Sequence, residues 1–496
     1  MNETMIKTLA FSDEVVAYWD RAESFTQGYR YRIDYDDVVA YAEKTHYTIA
    51  RVRAGQEIVL AVTLVDADGK TIETIGKTKV LVPSPKKRID VTQAPYFAVG
   101  DGKTLNTVAL QRALDDCTAN ECVYIPQGVF LTGALNMHGD SELYVDEKGV
   151  LQGTDNPEDY LPKIKSRFEG AENTCYRSLI NIGELDHTAG YTTKNIVIRG
   201  KGAVLGGGKA LMENTVMRET GRSFVTVYGR DEIELKAWRT RGRLLHIANA
   251  QNVVTYGLEM GMGPAWNIHA IYSDSVVTAN CYIHSEEVNN GDGWDPDSST
   301  NCTLFHCKFK TRDDIVAIKS GKNPEGNIIN RPSKHIRVFD CVSLAGHGLA
   351  IGSEMSGGIE DVCVWDCDIV QSLCGLEIKA TKKRGGYVKN VRMYHCQCPI
   401  IAVHSVNYND DAEAAETLPV FEDFYFEDVV TTGVCIITTG EKRLLPPITI
   451  CGFGEENPVR NVTVKNVKVR KMQDESIPKV EMRFTENVQV DDIVCE

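Results

Sequence analysis

Two short segments bring acidic side chains together in an arrangement that suits acid–base catalysis. Residues 290–299 read NGDGWDPDSS and residues 312–321 read RDDIVAIKSG. Asp313 follows Asp292 by 21 residues (292 to 313), and Asp314 comes directly after it. Carboxylates gathered in one patch repel each other, which raises the pKa of at least one of them. A carboxylic acid that keeps its proton near neutral pH can serve as a general acid beside an ionised base.

Two further segments extend this polar pattern along the chain. His347 is flanked by glycines on both sides, which leaves its imidazole open to a ligand. Residues 375–379 read GLEIK, and strand alternation places Glu377 and Lys379 on the same side of their strand. The segments together predict one continuous polar stripe that starts at Asp292.

Each of these residues also has a purely structural explanation. An Asp doublet is common in solvated loops, and a lone histidine is often a satisfied structural residue. Glu377 and Lys379 can form an ordinary ion pair, which contributes little when exposed. Trp294 is either a packed aromatic residue or a platform on which a sugar stacks. The recurrence of the segments at a regular interval favours the catalytic interpretation.

A repeated pattern indicates which elements must hold these side chains. From residue 194 onward, a polar residue followed by apolar-x-apolar recurs at Asn195, Asn252, Asn301, Asp361, Asn390, Asn461 and Asn487. Strand repeats of this length are typical of a coil whose turns stack on one another. The sequence therefore predicts an all-β fold, a right-handed parallel β-helix with rungs about 4.8 Å apart. One turn separates Asp292 from Asp313, so their carboxyl groups are expected to share one cleft.

The chain is expected to form two domains, residues 1–85 and residues 86–496. The first contains short alternating runs separated by turn signals, which predicts a small antiparallel β-sandwich. A linker-like stretch, VPSPKKR at 82–88, follows it. In the larger domain, residues 104–117 predict a helix with Thr104 as its N-cap, which would cover the N-terminal end of the coil. It is the only helix that we predict for this domain.

Composition excludes several classes of partner. The formal net charge of −15 argues against binding to nucleic acid or to anionic membranes, and an acidic sugar would need a local cluster of Lys and Arg. The fifteen cysteines lie mostly in alternating apolar runs and lack zinc-site spacing, so they predict buried thiols in a reducing compartment. Residues 1–20 contain no apolar stretch followed by a cleavage site, and we expect a cytoplasmic protein.

The order and spacing of the catalytic segments resemble the signature of the polygalacturonase family, glycoside hydrolase family 28. The shared elements are Asn-x-Asp-Gly-x-Asp, Asp-Asp, Gly-His-Gly and x-Ile-Lys, and the likeness runs from about residue 88 to the end. Residues 100–107 (GDGKTLNT) are similar to the start of the β-helix in that family. Residues 167–170 (RFEG) and 352–358 (GSEMSGG) look more like its bacterial exo-acting members, among which a fibronectin-III-like N-terminal module is also known.

The resemblance implies a role for each acidic residue. Asp313 corresponds to the general acid, Asp292 and Asp314 to the carboxylates that activate water, and His347 to the histidine that supports protonation of the site. The family inverts the anomeric centre, with acid and base carboxyls roughly 6.5–9.5 Å apart. No metal and no cofactor is implied. The residues that we expect to contact the substrate are Asn290, Trp294, Asp295, Glu354, Glu377, Lys379 and Arg384.

One position departs from the family pattern. Glu377 stands where the family has the Arg of Arg-Ile-Lys, two cations that hold a galacturonate carboxylate. An anion there should repel a uronate by about 1–3 kcal/mol. Either the basic residues at 382–384, which include Arg384, compensate for the change, or this subsite accepts a neutral sugar whose hydroxyls donate to Glu377.

The leading hypothesis is an exo-acting, inverting hydrolase that removes galacturonic acid from the non-reducing end of pectic oligosaccharides. Long non-repetitive inserts at about 155–192 and 208–245 would then wall off one end of the groove. Three alternatives are release of a neutral sugar such as rhamnose, a calcium-dependent lyase, and a non-catalytic carbohydrate-binding β-helix. The protein is expected to be a monomer or a homodimer that binds a pectic oligosaccharide.

Overall fold

The computed structural model describes residues 6–224, 231–408, 410–436, 440–470, 474 and 476–495. These residues form two compact units, Met1–Lys87 and Arg88–Glu496. Residues 1–5 of the predicted sandwich and residues 225–230 of the second predicted insert lie outside the described residues.

The smaller unit contains two antiparallel sheets. The three-stranded sheet consists of Lys7–Ala10, Glu14–Tyr18 and His46–Ala50. The four-stranded sheet consists of Arg30–Tyr35, Val38–Ala42, Glu57–Val65 and Thr71–Leu81. Val15 and Ile49 from the first sheet and Ile33 and Leu60 from the second share one buried core, so the sheets pack face to face. This arrangement agrees with the predicted sandwich, while its likeness to fibronectin III stays a prediction.

The larger unit is a coil of three parallel sheets, which confirms the predicted parallel β-helix. Sheet 1 has fourteen strands: Lys87–Asp90, Glu121–Ile125, Glu142–Val145, Thr193–Gly200, Ala250–Tyr256, Asp274–Ala279, Thr303–Phe305, Ser333–Phe339, Ile359–Trp365, Tyr387–Tyr394, Gln397–Cys398, Val420–Thr431, Val459–Val469 and Thr485–Cys495. Sheet 2 has eight: Asp101–Leu105, Gly128–Thr132, Gly149–Gly153, Ala203–Leu205, Glu259–Gly261, Tyr282–His284, Lys308–Lys310 and Val342–Ala345.

Sheet 3 has eleven strands: Leu135–Met137, Ile180–Ile182, Leu245–Ala248, Ile268–Ile271, Trp294–Asp297, Val316–Ile318, Leu349–Ile351, Leu376–Ala380, Ile401–Ser405, Ile448–Cys451 and Val480–Arg483. Two hairpins lie outside the coil, Ile164–Phe168 with Ala171–Cys175 and Val434–Ile436 with Lys442–Leu444. The inward-facing side chains of all three sheets form one apolar core.

The repeated polar residue marks the same backbone position on successive rungs of sheet 1. All seven residues of the sequence pattern have φ between 51° and 59°, the left-handed region that Asn and Asp tolerate best among residues with side chains. The side chain of Asn252 donates to Oδ1 of Asn195 at 2.8 Å, and that of Asn487 donates to Oδ1 of Asn461 at 2.9 Å. The pattern therefore reflects a conformational requirement at the entry to each strand.

The helices differ from the prediction in two respects. Helix α1 spans Thr107–Asp116 and buries Leu110 and Leu114 in the core of the coil, but its N-cap is Asn106. Thr104 instead lies in the strand before it and donates to Asp101, so the predicted cap was wrong. Further helices are present, namely α2 (Gly208–Thr220), α3 (Glu232–Trp238), α4 (Glu325–Ile329) and a short 3-10 helix (Pro157–Tyr160).

The prediction of a single helix failed because α2 and α3 lie in an insert without the periodicity of the rungs. Helix α2 buries the polar Thr215 beside Leu211 and Val216, which obscures its amphipathic pattern. None of the described helices combines the length and the apolar character needed to cross a membrane.

Candidate active site

The three aspartates and the histidine that the sequence singles out line one cleft of about 850 Å³ on the outer face of sheet 3. Consecutive rungs hold them through backbone hydrogen bonds. The Gly293 N–H donates to the Asp314 carbonyl at 2.9 Å, and the His347 N–H donates to the Asp313 carbonyl at 2.9 Å. The structure therefore brings Asp292, Asp313, Asp314 and His347 together.

The glycines around His347 are required by the close approach of the rungs. Gly346 and Gly348 have φ of 145° and 116°. A Cβ atom at Gly348 would lie 2.6 Å from the Gly375 carbonyl oxygen, and one at Gly346 would lie 2.4 Å from Oγ1 of Thr311. Glycine alone accommodates both constraints, so the motif fixes the backbone that presents the imidazole.

Asp292 and Asp295 form a buried acidic pair around one lysine. Nζ of Lys319 lies 3.2 Å from Oδ2 of Asp292 and 3.7 Å from Oδ1 of Asp295, and it sits 3.6 Å from the centre of the Trp266 ring. One cation is shared by two carboxyls that are almost completely buried. Burial raises the pKa of Asp292 well above its usual range and that of Asp295 to about 8, although Lys319 opposes both shifts.

Asp313 and Asp314 differ in protonation although they are adjacent. Burial raises the pKa of Asp314 to about 6 against the opposing charge of Lys379. Burial acts in the same direction on Asp313, but the hydrogen bond from His347 and the charges of His347 and Lys379 outweigh it and lower the pKa to about 2. Burial lowers the pKa of His347, but Asp313, whose Oδ1 is 3.0 Å from Nδ1, raises it to about 9.

Asp313, Asp314 and His347 also offer ligand atoms within 4.8 Å of one another, which is a spacing that could accommodate a metal ion. Nδ1 of His347 already lies 3.0 Å from Oδ1 of Asp313. The same three groups are arranged for proton transfer, because a donor and two carboxyls of different pKa lie side by side.

Glu377 is paired on both of its carboxylate oxygens. Oε2 lies 2.8 Å from Nζ of Lys379, and Oε1 lies 2.9 Å from Nε2 of His404 on the next rung. Lys379 also lies 4.0 Å from Oδ2 of Asp314. Glu377 and Lys379 do project from the same side of their strand, as the alternation predicts. The predicted stripe is not one continuous column, because Ala317 and Ala350 precede Glu377 in the strand register.

The inserts close the cleft at the end that faces the earlier rungs. Glu169, at the turn of the hairpin Ile164–Phe168/Ala171–Cys175, and Trp238, the last residue of α3, both line the cleft. Arg239 directly follows α3 and links it to the hairpin, because its Nε lies 2.7 Å from Oε2 of Glu169. Its guanidinium also lies 3.1 Å from Oδ2 of Asp411, which belongs to a later loop. Beneath them, the outward-facing His269 is fully buried.

Three of the predicted substrate contacts are wrong. Trp294 points inward and is part of the core of the coil, so it cannot stack on a sugar. Asp295 lies below the floor of the cleft, completely buried beside Lys319. Arg384 does not line the cleft; its buried guanidinium donates to the Ser353 carbonyl at 2.9 Å and to Oδ1 of Asn323 at 2.6 Å. Arg384 therefore does not replace the missing cation at Glu377.

The other predicted contacts do line the cleft. Asn290 faces it and accepts a hydrogen bond from Arg241 at 2.8 Å through Oδ1. Glu354 is 8 % exposed, and its buried Oε2 has no hydrogen-bond partner among the described residues. Glu377 and Lys379 complete the predicted set.

Sequence reasoning missed several residues of the cleft. Trp238 and Trp266 border the cleft but are as deeply buried as Trp294, and Lys319 supplies the cation beside Asp292. Glu169 lies in the RFEG segment, whose likeness to exo-acting enzymes was the available signal. Tyr408 lines the cleft on the side of the later rungs and carried no such signal.

A cluster of acids on adjacent rungs of a parallel β-helix, with a protonated histidine at its edge, defines a glycosidase site of the acid–base type. The sequence profile described as "Glycosyl hydrolases family 28" matches residues 162–479. The chain belongs to this family and is a glycoside hydrolase, which excludes the lyase and the non-catalytic β-helix.

Individual relatives agree with this assignment. A probable polygalacturonase of Vitis vinifera is 28% identical over 393 residues, covering 74% of this chain and 73% of its own. An exo-poly-alpha-D-galacturonosidase of Dickeya chrysanthemi is 28% identical over 433 residues, covering 81% and 70%. The family 28 exopolygalacturonase of Yersinia enterocolitica shares the fold with a TM-score of 0.82 at 21% identity, over 99% of this chain and 98% of that one.

Proposed function

We propose that this enzyme releases galacturonic acid from the non-reducing end of pectic oligosaccharides by exo-acting, inverting hydrolysis. The observation that carries the proposal is a cleft with acids on its floor and a wall across one end. The names of the Dickeya and Yersinia relatives, an exo-poly-alpha-D-galacturonosidase and an exopolygalacturonase, support it.

The residues at one end of the cleft determine in which orientation a substrate can bind. Trp238, Trp266 and Glu169 stand at the closed end, whereas Glu377 and Tyr408 stand on the side of the later rungs. A terminal sugar that enters first stops at this end of the cleft. The bond to be cut then lies over the aspartates, and the rest of the oligosaccharide extends past Glu377.

In the proposed reaction Asp313 protonates the glycosidic oxygen, and His347 supplies the proton. His347 and Lys379 lower the pKa of Asp313 to about 2, so the proton that Asp313 donates must come from a neighbour. Nδ1 of His347 is 3.0 Å from Oδ1 of Asp313 and carries a proton at neutral pH. His347 thus acts as the proton store and Asp313 as the group that touches the leaving oxygen.

Asp292 and Asp314 activate the water that attacks the anomeric carbon from the opposite face. One ionised carboxylate is sufficient for this step, and Asp314, with its pKa of about 6, is ionised at neutral pH. Asp292 keeps its proton more readily and can hold the water as a hydrogen-bond donor. Attack by water and departure of the protonated sugar in one displacement invert the configuration. The leaving group receives a proton, so this chemistry requires no metal.

Product analysis on oligogalacturonides of defined length tests the proposal. We expect monogalacturonate and a chain shorter by one unit as the first products. Mid-chain cuts would contradict exo action. Asp313→Asn should lower kcat by about two to four orders of magnitude while oligosaccharide binding persists, because the lost proton transfer belongs to the transition state.

A second candidate is release of a neutral terminal sugar such as rhamnose. It is favoured by Glu354, whose carboxylate lines the cleft, and by the sharing of Lys319 between Asp292 and Asp295, while Glu169 is paired with Arg239. A panel of chromogenic glycosides separates the two candidates. Rapid cleavage of a rhamnoside without cleavage of a galacturonide would establish the second.

We also propose that the enzyme works in the cytoplasm. The support is that no disulfide joins the cysteines in the described part of the chain, and eleven of the fifteen are buried thiols. Fractionation of source cells tests this location, and recovery of the enzyme outside the cell would contradict it.

A further inference from the structure

The carboxylate of Glu377 stands where the leaving part of the substrate must pass. Glu377 and Lys379 lie on the strand Leu376–Ala380, on the side of the aspartates away from the wall. Their side chains are only 14% and 12% exposed, and both line the cleft. A sugar bound next to the cleaved bond on this side therefore meets this pair directly.

The pair presents no net positive charge to the substrate. Lys379 is 2.8 Å from Glu377 and 4.0 Å from Asp314, so two carboxylates already neutralise its single charge. His404 binds the other oxygen of Glu377 and fixes the carboxylate in place. Because Lys379 and His404 stabilise its anion, Glu377 keeps a pKa of about 2 despite burial and stays ionised throughout the neutral range.

Other cations that line the cleft lie elsewhere. Lys319 is held by Asp292 at the deeper end. Arg312 donates to Asn289 at 2.8 Å, on the loop that precedes Asp292. Lys383, beyond the strand, does not line the cleft and donates to the Asp410 carbonyl at 2.7 Å. Of the lysines and arginines among the described residues that line the cleft, Lys379 is thus the one on the side of the later rungs, and it is already paired.

We propose that the leaving-group subsite prefers a neutral sugar, whose hydroxyls donate to Glu377, and disfavours a free uronate. This inference rests on the proposed function and makes galacturonic acid linked to an uncharged sugar the preferred substrate, with oligogalacturonides cleaved more slowly. Hydrolysis breaks the bond between the anomeric carbon and the leaving oxygen and forms a bond to the water oxygen. One proton of the water is lost to the base, and the acid returns one to the neutral sugar.

The chemistry of the pair explains the selection. A carboxylate accepts hydrogen bonds from vicinal hydroxyls, which every pyranose offers. A second carboxylate placed against Glu377 is repelled, and such like-charge contacts cost enough to change kcat/KM by about tenfold or more. The penalty falls on binding, so it should appear chiefly in KM.

The experiment compares digalacturonate with its methyl ester on the reducing-end unit, two substrates with the same linkage and different charge on the leaving sugar. We expect the enzyme to cleave the ester with a kcat/KM about tenfold or more above that of the free acid. A galacturonosyl-rhamnose disaccharide should behave like the ester. Glu377→Arg should reverse the preference, and the matched variant Glu377→Gln should reduce it without reversing it.

The outcomes separate this inference from the function on which it rests. If no substrate yields galacturonate, the proposed function fails. If galacturonate is released but the free acid is cleaved as fast as its ester, the function stands and the inference is overturned. The ester comparison uses the unmodified enzyme, so it decides the question even if Glu377→Arg does not fold.

Discussion

Nδ1 of His347 lies 3.0 Å from Oδ1 of Asp313, and the backbone N–H of the same histidine donates to the Asp313 carbonyl at 2.9 Å. The two residues are thus tied through both side chain and main chain, although they belong to different rungs. The distance between proton store and acid is set by the stacking of the coil itself.

The first prediction concerns pH. Asp314 must be ionised to accept a proton from water, so kcat/KM should fall as pH decreases through about 6. His347 must be protonated to supply Asp313, so kcat/KM should fall again as pH increases through about 9. His347→Gln should lower kcat and abolish the alkaline limb while leaving the acid limb in place. An alkaline limb that persists in this variant would remove His347 from the reaction.

Lys379→Met should move the acid limb of the pH profile to higher pH. The charge of Lys379 lowers the pKa of Asp314 and opposes the effect of burial, so its removal raises that pKa. Lys383→Met is the matched control, because Lys383 is paired with Asp410 and does not line the cleft. Equal shifts of the acid limb in both variants would show that Lys379 does not set the pKa of Asp314.

Gly348→Ala should destabilise the enzyme and reduce its activity. The new Cβ would lie 2.6 Å from the Gly375 carbonyl oxygen at φ of 116°, and we expect a loss of about 1–3 kcal/mol in the free energy of unfolding. Gly221→Ala is the control, since Gly221 has φ of 69° with nothing within 4 Å of its Cβ position. Denaturant unfolding should show the smaller loss for Gly221→Ala, and equal losses would mean that backbone conformation alone determines the effect.

Substitution of two buried tryptophans should distinguish the core of the coil from the residues that border the cleft. Trp294→Ala removes a core side chain and should cost about 3–5 kcal/mol of stability. Trp238 is equally buried but borders the cleft, so Trp238→Ala should cost a similar amount of stability and should also raise KM of the folded enzyme. If Trp294→Ala raises KM as much as Trp238→Ala does, the assignment of Trp294 to the core is wrong.

The repeat could be predicted because it follows from backbone conformation. Asn195, Asn252 and their equivalents occupy left-handed positions on successive rungs, and few residues tolerate that conformation, so the pattern is visible in a single sequence. The convergence of Asp292 with the Asp313–Asp314 doublet follows directly, since one turn of a coil returns the chain to the same face.

Which side chains of a short strand face the core could not be predicted in the same way. Trp294 and Asp295 alternate, and nothing in their segment fixes which of them faces inward, because a shift of one residue exchanges the two faces. Trp238 and Glu169 reach the cleft from inserts that lack any period, and their position depends on tertiary packing such as the Arg239 link between Glu169 and Asp411. Glu377 was recognised as unusual, but its pairing with His404 required the neighbouring rung.

The catalytic acids and the residues that limit the cleft lie on different parts of the fold, which has an evolutionary consequence. The acids sit on repeating turns, whereas Glu169 and Trp238 sit on segments added between turns. Lengthening or trimming an added segment changes how much of a polymer the enzyme can admit and leaves the bond-breaking groups in place. One ancestral reaction can therefore serve long polysaccharides in one descendant and short fragments in another, without any alteration of the residues that perform it.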